Sequence, residues 1–296
     1  MLIRDLKEQG LIDCPKWLPD ATLYLTITGS MAYGVNTDDS DLDLVGFCMP
    51  PRDVVFPHLA GIVKGFGDQG EQFENWQMHH VKSRDGKTEY DFSVYSLVKY
   101  FDLCMAMNPN MVDTMFTPDN CVIVRSKVSD LVRANRKLFL HKGAWPKFKG
   151  YAFSQMKKIE GGANQSNPKR AANTAKFGYD VKFGYHVVRL MLEVEQILTE
   201  GDLDLQMNRE QLKSIRRGEW TLERLQNYFE TKELALEQVY LDSKLPRHPD
   251  EKALRTLLLQ CMEEHYGDLS AVVQRNTSVD DVLADMRRVL EKHGGC

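Results

Sequence analysis

Two aspartates, Asp41 and Asp43, stand one residue apart in the stretch SDLDLVGF, and ten residues, Met31 to Ser40, separate them from a Gly29-Ser30 pair that ends an earlier apolar run. Side chains alternate across a strand, so Asp41 and Asp43 share a face, roughly 7 Å apart along the chain, while Leu42 and Leu44 point the other way into a core. Two carboxylates this close repel, and burial raises that cost. A divalent cation removes it. Magnesium prefers carboxylate and phosphate oxygens and needs only one or two protein carboxylates beside a nucleotide, and two such ions can hold the attacking and leaving oxygens of an in-line displacement. The glycine lets backbone approach a phosphate, and the Ser30 hydroxyl with the amides after it can donate to β- or γ-phosphate oxygens. As a bare string SDLDL would also suit a turn and a strand edge. The joint pattern of strand, Gly-Ser, loop and Asp-x-Asp strand is much narrower and points to metal-assisted chemistry on a nucleoside triphosphate.

These residues need elements to hold them. Leu23–Thr28 reads as a strand and Leu42–Cys48 as a second one stopped by Pro50-Pro51. The loop between them has one helical turn at Met31–Tyr33. Ile62–Val63 reads as a short edge strand. Gln77–Ser83 and Thr88–Val94 flank the Asp-Gly turn of RDGK as a hairpin. Ser96–Met107 reads as a helix with Ser96 as its N-cap, ended by Asn-Pro-Asn. Beyond Arg125 the pattern is almost wholly helical: Trp145–Ile159, a loop at GGANQSNPKR, Asp180–Thr199 closed by Gly201, Asn208–Arg217, Thr221–Asp242, Asp250–Tyr266 and a last helix at Val279–Leu290. The expected fold class is α+β: a small mixed sheet with flanking helices over residues 1–140, then a mainly helical, partly basic domain over 141–296.

Composition bounds the function. The chain has 296 residues, 43% of them apolar and 27% charged, which describes a soluble globular protein. No run approaches the ~18 apolar residues of a membrane span, and MLIRDLKEQG has no signal-peptide core. Six scattered cysteines without paired spacing argue against a zinc site or a disulfide framework and suit a reducing cytoplasm. The net charge of −4 hides an asymmetry: from His141 to Arg189 there are ten Lys or Arg against Glu160 and Asp180, a balance of +8 that leaves −12 elsewhere. Such a segment is a candidate surface for phosphates or nucleic acid, unless its lysines lie on helix faces that do not converge.

GSMAYG followed by SDLDLVGF resembles the DNA polymerase β-like nucleotidyltransferase superfamily, and within it the RNA-repair branch of RNA-ligase-adjacent polymerases, common among bacteriophage proteins. The resemblance continues through YDFSVYSLVKYFDLCMAMNPN and, more loosely, GYAFSQMKK and YDVKFGYHVVRL, over residues 20 to 205. It implies that Gly29 and Ser30 hold the triphosphate and that Asp41 and Asp43 bind metal, Mg²⁺ as a pair of ions with Mn²⁺ as the substitute. Ser40, just before Asp41, joins Gly29 and Ser30 as an expected nucleotide-binding residue. A third catalytic, metal-binding carboxylate comes from a later strand. Glu89 and Asp91 share parity there, and the resemblance favours Asp91, just before the VYSL helix start. Otherwise Asp91 is a surface residue near a helix N-terminus.

Lys182, His186, Arg189 and Glu193 form one polar stripe at helical spacing. They are either a solvent face or, as helical domains of this superfamily supply, cations turned to the nucleotide; Lys182, His186 and Arg189 are expected to bind it, with Asp180 capping their helix. Tyr151, Gln155 and Lys158 share another face. Trp145, Phe148 and Tyr151 alternate with Lys147 and Lys149, a mix that suits single-stranded nucleic acid but suits a helix anchored on the core better. One of His79 and His80 should be exposed, without a metal role. Asp38 and Asp39 read as solvated or capping loop residues. Lys64-Gly65-Phe66-Gly67 lacks the Gly-Lys-Ser/Thr ending of a phosphate loop. The expected activity is nucleotidyl transfer of the EC 2.7.7 type: a nucleoside monophosphate passes from a triphosphate to an acceptor hydroxyl, pyrophosphate leaves, and the resemblance implies an RNA end, such as a damaged tRNA, as acceptor. The competing readings are transfer to a protein or small molecule, and a nucleotide-binding module with a dead site. The retained, costly acids argue against the last.

Overall fold

The computed structural model describes residues 2–36, 41–56, 72–161 and 168–267, together with Leu283 and Met286. Ser40, Asp38, Asp39, the expected strand at Ile62–Val63 and Lys64–Gly67 lie outside the described residues, as does the expected last helix apart from Leu283 and Met286, which are helical.

Five strands make one mixed sheet: β1 (Thr22–Ile27), β2 (Leu42–Cys48), β3 (Asn75–Lys82), β4 (Glu89–Ser96) and β5 (Val122–Val124), in the order β3-β4-β2-β1-β5. β2 and β4 run parallel; the other neighbours are antiparallel. The helices are α1 (Leu2–Glu8), α2 (Leu18–Ala21), α3 (Gly29–Ala32), α4 (Arg52–Val55), α5 (Leu97–Met105), α6 (Pro109–Phe116), α7 (Lys127–Ala134), α8 (Ala144–Glu160), α9 (Pro168–Phe177), α10 (Val181–Glu200), α11 (Arg209–Arg216), α12 (Leu222–Asp242) and α13 (Glu251–Tyr266). The fold is α+β.

Alternation along the strands gives the sheet two covered faces. Leu25, Leu44, Phe92 and Val94 pack with Ile3, Leu6 and Leu18 on one side. Tyr24 and Phe47, joined by Val45 and Tyr95, face the helical layer, and that cluster runs without a break through α5, α6, α8 and α10 to Tyr266. Asp43 has the parity of Val45 and Phe47, so its carboxylate lies on the helical side. α10 is the central helix of that layer, against which α8, α9, α11 and α12 pack. Its bounds follow local signals: Asp180 accepts from Lys182 N at 2.9 Å, and Gly201 ends it in the left-handed conformation.

Several expected elements shift. Asn108-Pro109 does not only end α5: Asn108 accepts from Asn110 N and caps α6, with Pro109 in its first turn. Pro168 likewise opens α9 inside the expected loop. Of the aromatic residues on α8, Trp145 and Phe148 are buried and anchor the helix on the core, while Tyr151 is exposed.

Candidate active site

The site begins where β1 hands over to α3. Thr28 N donates to Asp43 O at 2.7 Å, tying the strand end to β2. Gly29 then takes φ +64°, and a Cβ there would collide with Oδ2 of Asp43. Only glycine allows this approach. The single turn of α3 follows, with Ser30 half-buried in it. The Gly-Ser turn and the second aspartate are therefore in direct contact.

β4 brings in the third carboxylate. In the parallel pairing Asp43 stands opposite Asp91. Asp91 Oδ1 accepts from the backbone N–H of His80 at 2.7 Å and lies 3.7 Å from His79 Nδ1. A bulge between Met78 and Val81 puts His80 at φ +58° and turns its ring to Glu89, 2.6 Å away. Hydrogen bonding to Glu89 raises the pKa of His80, with Asp91 adding to the effect. The ligand atoms of His80, Glu89 and Asp91 lie within 4.8 Å of one another, so this trio could also hold an ion. The sequence reading gave His80 no such place; the only signal was the parity of Glu89 and Asp91.

Asp43 reaches solvent yet stands in a crowded strand end. That enclosure pushes its pKa up from the ordinary value, and Asp91 and Asp41 add to the rise, while Lys182 on α10 and, less, His79 pull it down. Lys182 is exposed and close enough for its charge to act on Asp43. Among the described residues neither Asp41 nor Asp43 has an ion-pair partner. Asp41 and Asp91 act on Asp43 through their charges but do not close with it into one tight ligand set; among the described residues that set is His80, Glu89 and Asp91, while the carboxylate oxygens of Asp41, Asp43 and Asp91 are of the kind Mg²⁺ prefers.

Arg189 departs from the expected stripe. It is 4% exposed and reaches no nucleotide-facing surface. Its Nη1 donates to Asp113 Oδ2, to the Tyr33 hydroxyl and, at 3.1 Å, to Glu193, and its guanidinium lies 4.5 Å from the Tyr33 ring. The Tyr33 hydroxyl in turn donates to Asp113 at 2.6 Å. Burial pushes the pKa values of Glu193 and Asp113 upward, against the pull of Arg189. Both shifts run the same way, as expected where one guanidinium faces two buried carboxyl groups. The stripe turns inward because α10 is packed on every side. His186 is half-buried and stacked 4.2 Å from the Tyr185 ring.

Two more contacts grip the turn from the helical side. Gln206 Nε2 donates to Ala32 O at 3.2 Å, and Arg216 Nη1 to Val35 O at 2.7 Å. Sequence reasoning missed both, since a single chain carries no local mark of a contact across more than 170 residues.

Residues 9–284 match the family described as RNA repair pathway DNA polymerase beta family, RlaP. The chain belongs to this family. An uncharacterized 38.9 kDa protein encoded in the nrdC-mobD intergenic region of Enterobacteria phage T4 is 29% identical over 122 residues, 40% of this chain and 33% of its own length. The chain thus matches about a third of that relative's length. A nucleotidyltransferase-like protein from Exiguobacterium sibiricum 255-15 aligns over 98% of this chain and 90% of its own, at 9% identity and a TM-score of 0.29, too slight a likeness to compare the two sites. RlaP membership supports a nucleotidyltransferase. Among the described residues, no helix is long and apolar enough to cross a membrane.

Proposed function

We propose that this protein moves a nucleoside monophosphate from a nucleoside triphosphate to a hydroxyl at an RNA end. The acceptor oxygen bonds to the α-phosphorus, the bond from that phosphorus to the oxygen bridging to the β-phosphate breaks, and pyrophosphate leaves with the electron pair. The observation that carries this reading is the contact of the Gly29 backbone with the Asp43 carboxylate, beside Asp91 in register. It sets the Gly-Ser turn against Asp43 and Asp91, which supports a reading in which phosphate and metal meet there. In this reading Asp41, Asp43 and Asp91 would hold two Mg²⁺ ions, with Mn²⁺ as the substitute. Bound there, the metal supplies charge neutralisation on the phosphates and a more acidic acceptor hydroxyl.

The chain's own groups do the rest. Gly29, Ser30 and Ser40 receive the triphosphate. Asp91, oriented by the His80 amide, takes the hydroxyl proton. Lys182 and His186 face the phosphates from α10, while Arg189 acts behind the turn through Tyr33. Residues 1–140 form the catalytic part and 141–296 the basic, nucleotide- and acceptor-binding part. Among the described residues five buried free thiols are in keeping with a reducing, cytoplasmic setting.

The test is incubation with each α-labelled triphosphate, Mg²⁺ and total RNA. Label on RNA, with pyrophosphate released, is the expected result. Label on protein or on a small molecule overturns the RNA acceptor. No transfer from any triphosphate overturns the activity.

A further inference from the structure

We propose that the solvent face of α8 is a track for single-stranded RNA that leads the strand toward the carboxylates on β2 and β4, an inference that rests on the RNA acceptor proposed above. α8 is two-sided. Trp145, Phe148, Ala152 and Met156 recur at helical spacing and are buried. Lys147, Gly150, Tyr151, Ser154 and Lys158 occupy the opposite face and are exposed, with Phe153 and Lys157 on the ridge beside them. No acidic residue interrupts this face before Glu160.

The aromatic residues divide with the faces. The inner two fill the core. The outer two have no core to fill: Tyr151 is 37% and Phe153 50% exposed. Asn108 Nδ2 donates to the Tyr151 hydroxyl at 3.3 Å, steadying the ring, and Lys157 Nζ lies 4.8 Å from the Phe153 ring. Flat rings flanked by ammonium groups suit unpaired bases and a phosphate backbone. A duplex keeps its bases stacked inside and offers such rings nothing to stack on.

The charges on this face are uncompensated. Among the described residues Lys147, Lys157 and Lys158 have no ion-pair partner. Lys149, turned the other way, is paired with Glu233 at 2.7 Å and Glu237 at 2.9 Å on α12. Contacts of this face run to elements that hold the proposed site. Lys158 Nζ lies 5.6 Å from the Phe183 ring, and Phe183 follows Lys182, whose charge reaches Asp43. Asn108 caps α6, the helix whose Asp113 holds Tyr33 behind the Gly-Ser turn. From Lys147 to Lys158 the face runs about 16 Å along the helix axis.

The experiment is fluorescence anisotropy with a labelled single-stranded RNA oligonucleotide and the full chain, without triphosphate or Mg²⁺, over a salt series. Tyr151→Ala with Phe153→Ala is expected to weaken binding at least tenfold. Replacing Lys147, Lys157 and Lys158 with Gln is expected to flatten the slope of log K against log salt by about 2, near 0.7 per lost phosphate contact. Lys149→Gln should leave the slope unchanged, and all variants should bind triphosphate and melt as the wild type does. Photo-cross-linking of the wild type should place the RNA on Tyr151 or Phe153. Aromatic variants that bind like the wild type, or a hairpin duplex bound equally well with the same sensitivity, overturn the track. If those variants also leave RNA labelling intact, the proposed function stands without it. A wild type that binds no RNA overturns both.

Discussion

Two groups of acidic side chains among the described residues are neutralised in opposite ways. At the open end of β2 and β4, Asp91 stands in register with Asp43, Asp41 acts on Asp43 through its charge, neither Asp41 nor Asp43 has an ion-pair partner among the described residues, and the Asp43 pKa is raised. In the helical layer Asp113 and Glu193 are buried around Arg189, with Tyr33 completing the cluster. The first group leaves its charge for something that binds. The second meets its charge inside the chain, with one guanidinium set between two carboxyl groups. The two are joined by a single segment: the front of the Gly29–Ala32 turn meets Asp43, and Tyr33, directly after it, is held by Arg189. A polar stripe on α10 thus serves the site from behind, apart from Lys182 at its exposed end.

Removing acids at the open end should be the harshest test of function and the mildest of folding. Asp41→Asn and Asp43→Asn are each expected to lower transfer on the order of 10³-fold, the scale for losing a preorganised electrostatic group. Without metal, Asp43→Asn should melt at or above the wild-type temperature. The sign follows from the raised pKa: the native state holds that proton more tightly than the unfolded chain does. Metal-free stability therefore falls as pH rises from the ordinary value of 3.8 through the raised one, and asparagine removes that fall. Added Mg²⁺ should raise the melting temperature of the wild type and not of the variant. A variant that melts lower at neutral pH would mean that the open acids are partnered after all.

The buried cluster should respond the other way. Arg189→Met leaves two buried carboxylates without a cation and is expected to cost about 3–5 kcal/mol in denaturant unfolding. Adding Asp113→Asn and Glu193→Gln should restore most of that loss, because the cluster is then neutral. An Arg189→Met chain as stable as the wild type would show that the cluster is not the closed charge unit described here.

Legibility in the sequence followed the same division. β2 was readable to the residue, since its apolar alternation and the following prolines are local. Ser96, Asp180, Thr221 and Asp250 were readable as helix starts because each side chain accepts from an amide two or three residues on. Asp43 and Gly29 were legible as a pair because one motif contains both. The Arg189 cluster was not. Its partner Asp113 lies 76 residues away, and a buried polar stripe has the same period as a solvated one. Asn108-Pro109 misled for a related reason: a proline that stops one helix is also a good first residue for the next. His80 was hidden by a bulge: strand alternation exposes one of His79 and His80, and the bulge leaves both exposed.

Ser30→Ala probes the seam between the two regions. Loss of one hydrogen bond to a charged phosphate oxygen should weaken triphosphate binding by about 1.5–3 kcal/mol, with RNA binding unchanged. Equal loss for both ligands, measured by calorimetry and anisotropy, would take Ser30 out of the phosphate site.

The smallest effect is expected at Lys182, and it sharpens the contrast with Arg189 on the same helix. Both are cations on α10, seven residues apart. Lys182 is exposed, and its charge already lowers the Asp43 pKa from a distance. In the proposed site it faces phosphate oxygens that three carboxylates cannot neutralise. Lys182→Ala should therefore reduce nucleotide affinity about tenfold, or about 1.4 kcal/mol, while leaving the unfolding free energy nearly unchanged. Base preference should not move, because a contact to phosphate carries no information about the base. The loss should also shrink as salt rises, since an exposed charge is screened and the buried Arg189 cluster is not. Triphosphate titrations at two ionic strengths, run beside denaturant unfolding of both variants, separate the two cases. If Lys182→Ala lost stability without losing affinity, its position beside Asp43 would be part of the scaffold, and the charge left open at the strand ends would have to be met by the ligand and its metals alone.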